Sequence, residues 1–221
     1  MDCISVGDGM MKVNEIFYSI EGEGIRAGSP AVFIRLSGCN LNCSYCDTKY
    51  HNDGELMSVD DIIASISRHK PCLKVTLTGG EPLIHPDVKS LLKRLEDDGY
   101  EVNIETNGSV LIGQYQLPNT IITMDYKCPS SGEESKMMTA NLITLREQDV
   151  LKFVVGSQED LERARTIMTC YPIRANVFIS PVFGKIEPKD IVEFIKENKL
   201  VNARVQVQLH KVIWDVSTRG V

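Results

Sequence analysis

The sequence lacks any stretch long and apolar enough to cross a membrane. A transmembrane helix needs roughly 18 consecutive apolar residues, and no apolar run approaches that length. The segment Met1–Ser5 also lacks the basic residues and the following apolar stretch of a secretory signal peptide. We therefore expect a soluble, cytoplasmic protein with no membrane partner.

Basic residues are too few and too scattered for a nucleic-acid-binding surface. The chain has 24 Lys and Arg against 30 Asp and Glu, which gives a net charge of −6. No basic stripe that could neutralise the phosphates of a duplex is present in the sequence. Internal repeats and low-complexity segments are absent as well. Nucleic acid is therefore a poor candidate for a partner.

The apolar segments predict one α/β unit. The 221 residues suffice for one core, and we expect a single domain over 1–221, in which 1–10 form a loose extension. Short runs rich in β-branched residues are typical of a covered parallel sheet. These predicted strands are Ala31–Leu36, Leu73–Leu77, Val102–Ile104, Thr120–Met124, Val150–Val155, Asn176–Ile179 and Ala203–Val207.

Helix start signals lie between the predicted strands. Ser58 with Asp61 and Ser157 with Asp160 have the spacing of helix caps, while prolines suit the first turns of two further helices, and these prolines are Pro86 and Pro188. The polar stretch 127–139 is predicted to be a surface loop. Alternating strands and helices favour a parallel sheet whose ligands bind at the carboxyl ends of the strands.

Three cysteines are crowded into one loop after the first predicted strand. Cys39, Cys43 and Cys46 have the spacing C-x3-C-x2-C, which favours an iron–sulfur cluster or zinc. A structural zinc site would need a fourth ligand at a paired spacing, and the other cysteines stand alone, at positions Cys3, Cys72, Cys128 and Cys170. Three ligands on a cubane cluster leave one iron open, as a reactive site requires. A zinc- or cluster-bearing binding module stays the alternative.

The cysteine loop, with Tyr45 before its last cysteine, resembles the signature of radical S-adenosylmethionine (SAM) enzymes. The resemblance implies that the three cysteines hold a [4Fe-4S] cluster, that SAM binds its open iron, and that one electron then yields a 5′-deoxyadenosyl radical. Thr78-Gly79-Gly80-Glu81-Pro82 is similar to the motif that contacts the SAM amino group. The implied SAM contacts are Tyr45, Gly80, Glu105, Asn107, Asp125, Tyr126, Lys127, Ser180, Pro181, Val182 and Phe183.

Several further segments resemble one family within this superfamily, the 7-carboxy-7-deazaguanine synthases. They include the run Ile16–Gly24, the Cys46-Asp47-Thr48 triplet and the ending that runs from Gln208 to Val221. The resemblance implies conversion of 6-carboxy-5,6,7,8-tetrahydropterin into 7-carboxy-7-deazaguanine, with loss of ammonia, in queuosine and related 7-deazapurine biosynthesis. It also implies a partial (β/α)6 barrel with a reduced set of helices, a homodimer, and flavodoxin or ferredoxin as electron donor.

The same resemblance implies a substrate site and a magnesium site. Substrate contacts are implied at Ile20, Glu21, Gly22, Arg35, Thr78 and Val221, and a Mg²⁺ ligand at Thr48. An arginine fork matches a carboxylate, and Mg²⁺ prefers hard oxygen ligands. No side chain is expected to be catalytic in its own right, because cluster and SAM generate the radical.

The chain departs from the family pattern at two places. Glu21 stands where glutamine is usual, which replaces an amide donor by an acceptor when the carboxyl is ionised. Asp125-Tyr126-Lys127 replaces a Ser-Pro-Lys triplet, so only Lys127 agrees in residue type. The main alternative among enzymes is an activase of a glycyl-radical enzyme, which would act on a protein partner.

Overall fold

Nine strands form one sheet in the computed structural model, which describes residues 9–215 and 218–221. The strands are β1 (Met10–Ile20), β2 (Pro30–Leu36), β3 (Glu55–Ser58), β4 (Lys74–Gly79), β5 (Glu101–Thr106), β6 (Thr120–Tyr126), β7 (Val150–Val155), β8 (Asn176–Pro181) and β9 (Ala203–Val205). The helices are α1 (Val59–Ser67), α2 (Val88–Asp97), α3 (Ala140–Thr144), α4 (Gln158–Cys170), α5 (Pro188–Glu197) and α6 (Leu209–Ile213).

The strand order is β3-β1-β2-β4-β5-β6-β7-β8-β9. From β2 to β9 all neighbours are parallel, whereas β1 pairs antiparallel with both β2 and β3. Within the described residues the two edge strands do not pair, so the sheet is a partial barrel that does not close. This confirms the predicted α/β class.

A loop bridges the open side of the sheet. Between β1 and β2, Gly24 N donates to Gln206 Oε1 over 2.7 Å, and Gln206 Nε2 donates back to Gly24 O over 3.0 Å. Next to this pair, Leu209 N donates to Gly22 O over 3.0 Å. The C-terminal segment after β9 is thereby fixed to the loop that follows β1.

Helices α1, α4 and α5 lie where the sequence predicts helices. Ser58 and Asp61 form the predicted capping box of α1, Ser157 caps α4, and Pro188 begins α5. The apolar residues of α2 at helical spacing are buried in the core. None of the helices in the described part of the chain is long and apolar enough to span a membrane.

Several elements and boundaries differ from the predictions. Strands β1 and β3 were not predicted, and Met10 already lies in β1, while 1–8 lie outside the described residues. Pro86 does not start a helix: Val88 N bonds to His85 O in a turn, so α2 begins at Val88. Strand β9 ends at Val205 rather than Val207. Between β5 and β6 the described chain forms a single 3-10 turn and no α-helix, which agrees with a reduced helix set.

Candidate functional site

The cysteine loop follows β2 and lies against the ends of the neighbouring strands. Gly38 N donates to His51 O over 2.7 Å, which closes the loop on itself, and Glu81 N donates to Gly38 O over 2.9 Å. On its other side, Ser44 N donates to Ser131 O over 3.0 Å. The loop is therefore fixed from both sides, by the segment after β4 and by the segment after β6.

The Gly79-Gly80-Glu81 segment determines how closely that loop approaches β4. A methyl group on Gly80 would overlap Gly38 O and would lie 2.6 Å from Cys39 Cβ. Glu81 is fully buried and accepts hydrogen bonds from Leu83 N over 2.9 Å and Asn107 N over 2.6 Å. Burial raises the pKa of Glu81, against these donors. The motif thus holds the ends of β2, β4 and β5 together.

One cavity of about 1070 Å³ extends across the carboxyl ends of the parallel strands. Most residues predicted to bind cluster, SAM, Mg²⁺ or substrate line it. They are Ile20, Gly22, Arg35, Cys39, Cys43, Tyr45, Cys46, Thr48, Thr78, Gly80, Glu105, Asn107, Asp125, Lys127, Val182, Phe183 and Val221. The structure thus brings these residues together at the strand ends, where the ligands of parallel sheets bind.

Four predicted contact residues do not line the cavity. Tyr126 points to the helix side, where its hydroxyl donates to Glu134 Oε1 over 3.1 Å, because successive strand residues face opposite ways. Ser180 is fully buried in β8, and Pro181 ends that strand. Glu21 is buried below the cavity, where it accepts a hydrogen bond from the Thr76 hydroxyl.

The three cysteine thiols are free and half-buried. Burial is the main factor that raises the pKa values of Cys39 and Cys43. Within the described ranges no three Cys, His, Asp or Glu side chains converge on a point that could hold one metal ion. The three thiols line the wall of the same cavity, and their C-x3-C-x2-C spacing is the feature that favours an iron–sulfur cluster.

Two lysines in the cavity wall are paired with carboxylates. Lys127 Nζ lies 2.8 Å from Asp125 Oδ2, and Lys152 Nζ lies 3.0 Å from Glu23 Oε2. Burial opposes the charge of Lys152, but the carboxylates of Glu23, Asp125 and Glu105 outweigh it and raise its pKa. Both lysines are therefore cations, and each neutralises an acid at the cavity wall.

Arg35 lies in β2 and lines the cavity. Its Nε donates to Glu15 Oε1 over 2.7 Å, and its guanidinium carbon lies 5.9 Å from the ring centroid of Phe17 and 6.0 Å from that of Tyr50. Glu15 is on the neighbouring strand β1, directly opposite Arg35. The acid and the two rings position the guanidinium, whose terminal nitrogens can still bind an anion.

The predicted magnesium and substrate hydroxyls are held by neighbouring carboxylates. Thr48 Oγ1 donates to Asp47 Oδ1 over 3.1 Å, and Asp47 Oδ2 lies 3.3 Å from Lys211 Nζ. Thr78 Oγ1 donates to Glu105 Oε2 over 2.9 Å. Because each hydroxyl uses its hydrogen on an acid, its oxygen lone pairs remain able to bind a cation or accept from a ligand.

Glu21 is a buried acid rather than a cavity residue. Its side chain is 2% exposed and lies 3.3 Å from Arg26 Nη2. Burial and, next, the charge of Glu105 raise the pKa of Glu21 to about 7, although Thr76 and Arg26 favour the ionised form. Around neutral pH this carboxyl is therefore divided between its protonated and ionised states.

Several residues of the cavity wall were not predicted from the sequence. Glu23 and Lys152 are 129 positions apart, so their spacing gives no signal of the pair. His210 and Lys211 belong to the short helix α6, and the Arg219 guanidinium carbon lies 3.4 Å from the ring centroid of Tyr50.

Comparisons with known proteins agree with this geometry. A family model described as "Radical SAM superfamily" matches residues 33–117. The 7-carboxy-7-deazaguanine synthase of Clostridium acetobutylicum is 46% identical over 221 residues, covering 95% of this chain and 99% of that protein. The synthase of Methanospirillum hungatei is 45% identical over 207 residues, covering 92% of this chain and 85% of that protein.

A solved structure resembles the fold over nearly its whole length. The crystal structure of QueE from Escherichia coli has a TM-score of 0.73 to this chain at 27% sequence identity. The match covers 90% of this chain and 94% of that chain. The likeness therefore extends over most of both chains.

Proposed function

The chain belongs to the 7-carboxy-7-deazaguanine synthase family of radical SAM enzymes, and we propose that its cavity converts 6-carboxy-5,6,7,8-tetrahydropterin into 7-carboxy-7-deazaguanine with release of ammonia. The observation that supports this most is that the three cysteines, Gly80 and Arg35 line one cavity. One side of the cavity thus carries the cysteines and Gly80, which we call the cluster side, and the other carries the anion-binding Arg35, which we call the substrate side. A [4Fe-4S] cluster with SAM supplies a 5′-deoxyadenosyl radical when both are bound.

On the cluster side, we assign Cys39, Cys43 and Cys46 as the cluster ligands. The backbone carbonyl of Gly80 would accept a hydrogen bond from the SAM ammonium, because glycine leaves its carbonyl approachable. Polar contacts to SAM come from the cavity-lining residues at the ends of β5 and β6, which are Glu105, Asn107, Asp125 and Lys127. Tyr45 holds the last turn of the loop by donating to Val154 O over 3.3 Å.

On the substrate side, the Arg35 fork would bind the pterin carboxylate and Thr48 would provide an oxygen ligand for Mg²⁺. Arg35 is already oriented by Glu15, so little side-chain entropy is lost on binding. Thr78 would contact the pterin ring, and Val221 also lines this side of the cavity. The walls also exclude water, which a radical intermediate requires.

The enzyme needs an electron donor of low potential, and we propose flavodoxin or ferredoxin for that role. We also propose that it works in the cytoplasm as a homodimer. A reducing compartment suits a protein in which the described cysteines are free thiols.

An anaerobic assay tests the reaction. Reconstituted protein is mixed with SAM, Mg²⁺, a reductant and 6-carboxy-5,6,7,8-tetrahydropterin, and the product is identified by mass. We expect 7-carboxy-7-deazaguanine and ammonia, formed only when SAM and reductant are both present. SAM cleavage without any deazaguanine would contradict the substrate and would direct the search to a protein partner.

A further inference from the structure

Glu23 brings a carboxylate to the cavity wall and leaves one of its oxygens without a partner. The side chain is 10% exposed, and Oε2 accepts from Lys152 Nζ over 3.0 Å and from Gln208 Nε2 over 3.2 Å. Oε1 is buried and accepts no hydrogen bond from residues 9–215 or 218–221. Buried polar atoms in proteins nearly always have a partner, so this oxygen requires a donor that the described chain does not supply.

The surroundings keep this carboxylate ionised. Burial opposes its charge, but the Lys152 ammonium, together with hydrogen bonds from Lys152 and Gln208, outweighs burial and lowers the pKa of Glu23. His210 also faces it, and burial lowers the pKa of that imidazole. An ionised carboxylate can only accept hydrogen bonds. The unused oxygen is therefore selective for a ligand group that donates.

A pterin carries such a group. Its pyrimidine ring has a 2-amino substituent, which points two N–H donors outward in the ring plane. Ile20, the last residue of β1, and Gly22 precede Glu23 in the chain and also line the cavity, so the wall next to the acceptor includes an apolar side chain and a glycine. The terminal torsion of a glutamate is soft, which allows Oε1 to turn toward a ring that enters.

We propose that Glu23 selects the substrate by accepting a hydrogen bond from the 2-amino group of the pterin. This inference rests on the proposed function and adds a specificity contact to it. A second carboxylate oxygen at the wall, Asp125 Oδ1, is also unpartnered among the described residues. Asp125 is paired with Lys127 and Glu23 with Lys152, so the two carboxylates belong to separate ion pairs, and the Asp125 pair is the one whose lysine acts on Cys43.

The test compares two ligands that differ at the 2-position. Pterin-6-carboxylate has the 2-amino donor, while lumazine-6-carboxylate has a carbonyl acceptor there. Their dissociation constants are measured by fluorescence on cluster-loaded, unreduced enzyme with SAM, so the readout does not depend on turnover. We expect the wild type to prefer the pterin by roughly 10- to 150-fold, the range of a hydrogen bond to a charged group. In Glu23→Gln the preference falls to about one or reverses, because an amide can donate to the carbonyl.

Asp125→Asn is the matched control, since it makes the same acid-to-amide change on the cluster side. It should alter SAM affinity and leave the pterin preference as in the wild type. A wild type without a preference for the pterin overturns the inference, even if Glu23→Gln fails to fold. So does a folded Glu23→Gln protein that keeps the preference. If the wild type prefers the pterin but forms no deazaguanine, the proposed reaction is wrong and the contact stands.

Discussion

Gly80→Ala should reduce cluster loading while the protein still folds. The added methyl would lie 2.6 Å from Cys39 Cβ and would overlap Gly38 O, whereas carbon atoms in contact are separated by about 3.5–4.0 Å. The cysteine loop must therefore move away from β4 by about 1 Å. Overpacking of this kind costs about 1–3 kcal/mol, which a protein of this size can tolerate.

The same displacement moves the first cluster ligand. A misplacement of about 1 Å can reduce an enzymatic rate by roughly 100-fold, so we expect Gly80→Ala to fold, to bind less iron and to cleave SAM at about one hundredth of the wild-type rate. Iron per chain after anaerobic reconstitution and 5′-deoxyadenosine formed per minute measure this. Gly113→Ala is the control, because its methyl would meet only Thr144 Cγ2 at 3.7 Å. A Gly80→Ala protein with full iron and a wild-type rate would refute the reasoning.

Three further predictions follow from individual side chains. Cys43→Ala should lose both the cluster and SAM cleavage, whereas Cys170→Ala, at the exposed end of α4, should lose neither; iron analysis of both decides. Arg35→Ala should keep the cluster and raise the KM for the pterin by roughly 10- to 100-fold, and an unchanged KM would contradict the carboxylate contact. Because the pKa of Glu21 is raised from 4.5 to about 7, its contribution to stability is full below pH 4.5 and is lost as the pH rises through about 7. In the wild type, the free energy of unfolding should therefore fall by up to about 3 kcal/mol as Glu21 ionises, and in Glu21→Gln this fall should be absent. Urea unfolding at pH 5 and pH 8 measures the difference.

Local signals were sufficient for most of the sheet and for the cluster loop. Parallel strands such as β7 are buried on both faces, so they appear as continuous apolar runs, and Val150–Val155 was predicted with its observed bounds. The caps at Ser58 and Ser157 depend on contacts within one turn and were predicted for the same reason. The spacing of the three cysteines is equally local.

Long-range pairing explains what the sequence did not reveal. Strand β1 mixes polar and apolar residues because it pairs with β2 and β3, and Glu15 serves to hold Arg35. The Glu23–Lys152 pair forms only because the loop after β1 crosses the open side of the sheet. The burial of Glu21 depends on the direction in which that loop leaves the strand, which no residue spacing encodes.

The most direct test of the account is the formation of 7-carboxy-7-deazaguanine by the wild-type and Cys43→Ala proteins under identical anaerobic conditions. We predict that the wild type forms the deazaguanine and ammonia in equal amounts from 6-carboxy-5,6,7,8-tetrahydropterin, with SAM, reductant and Mg²⁺ present. Cys43→Ala should form neither product. A wild type that carries its cluster and cleaves SAM, yet leaves the pterin unchanged, would contradict the central claim.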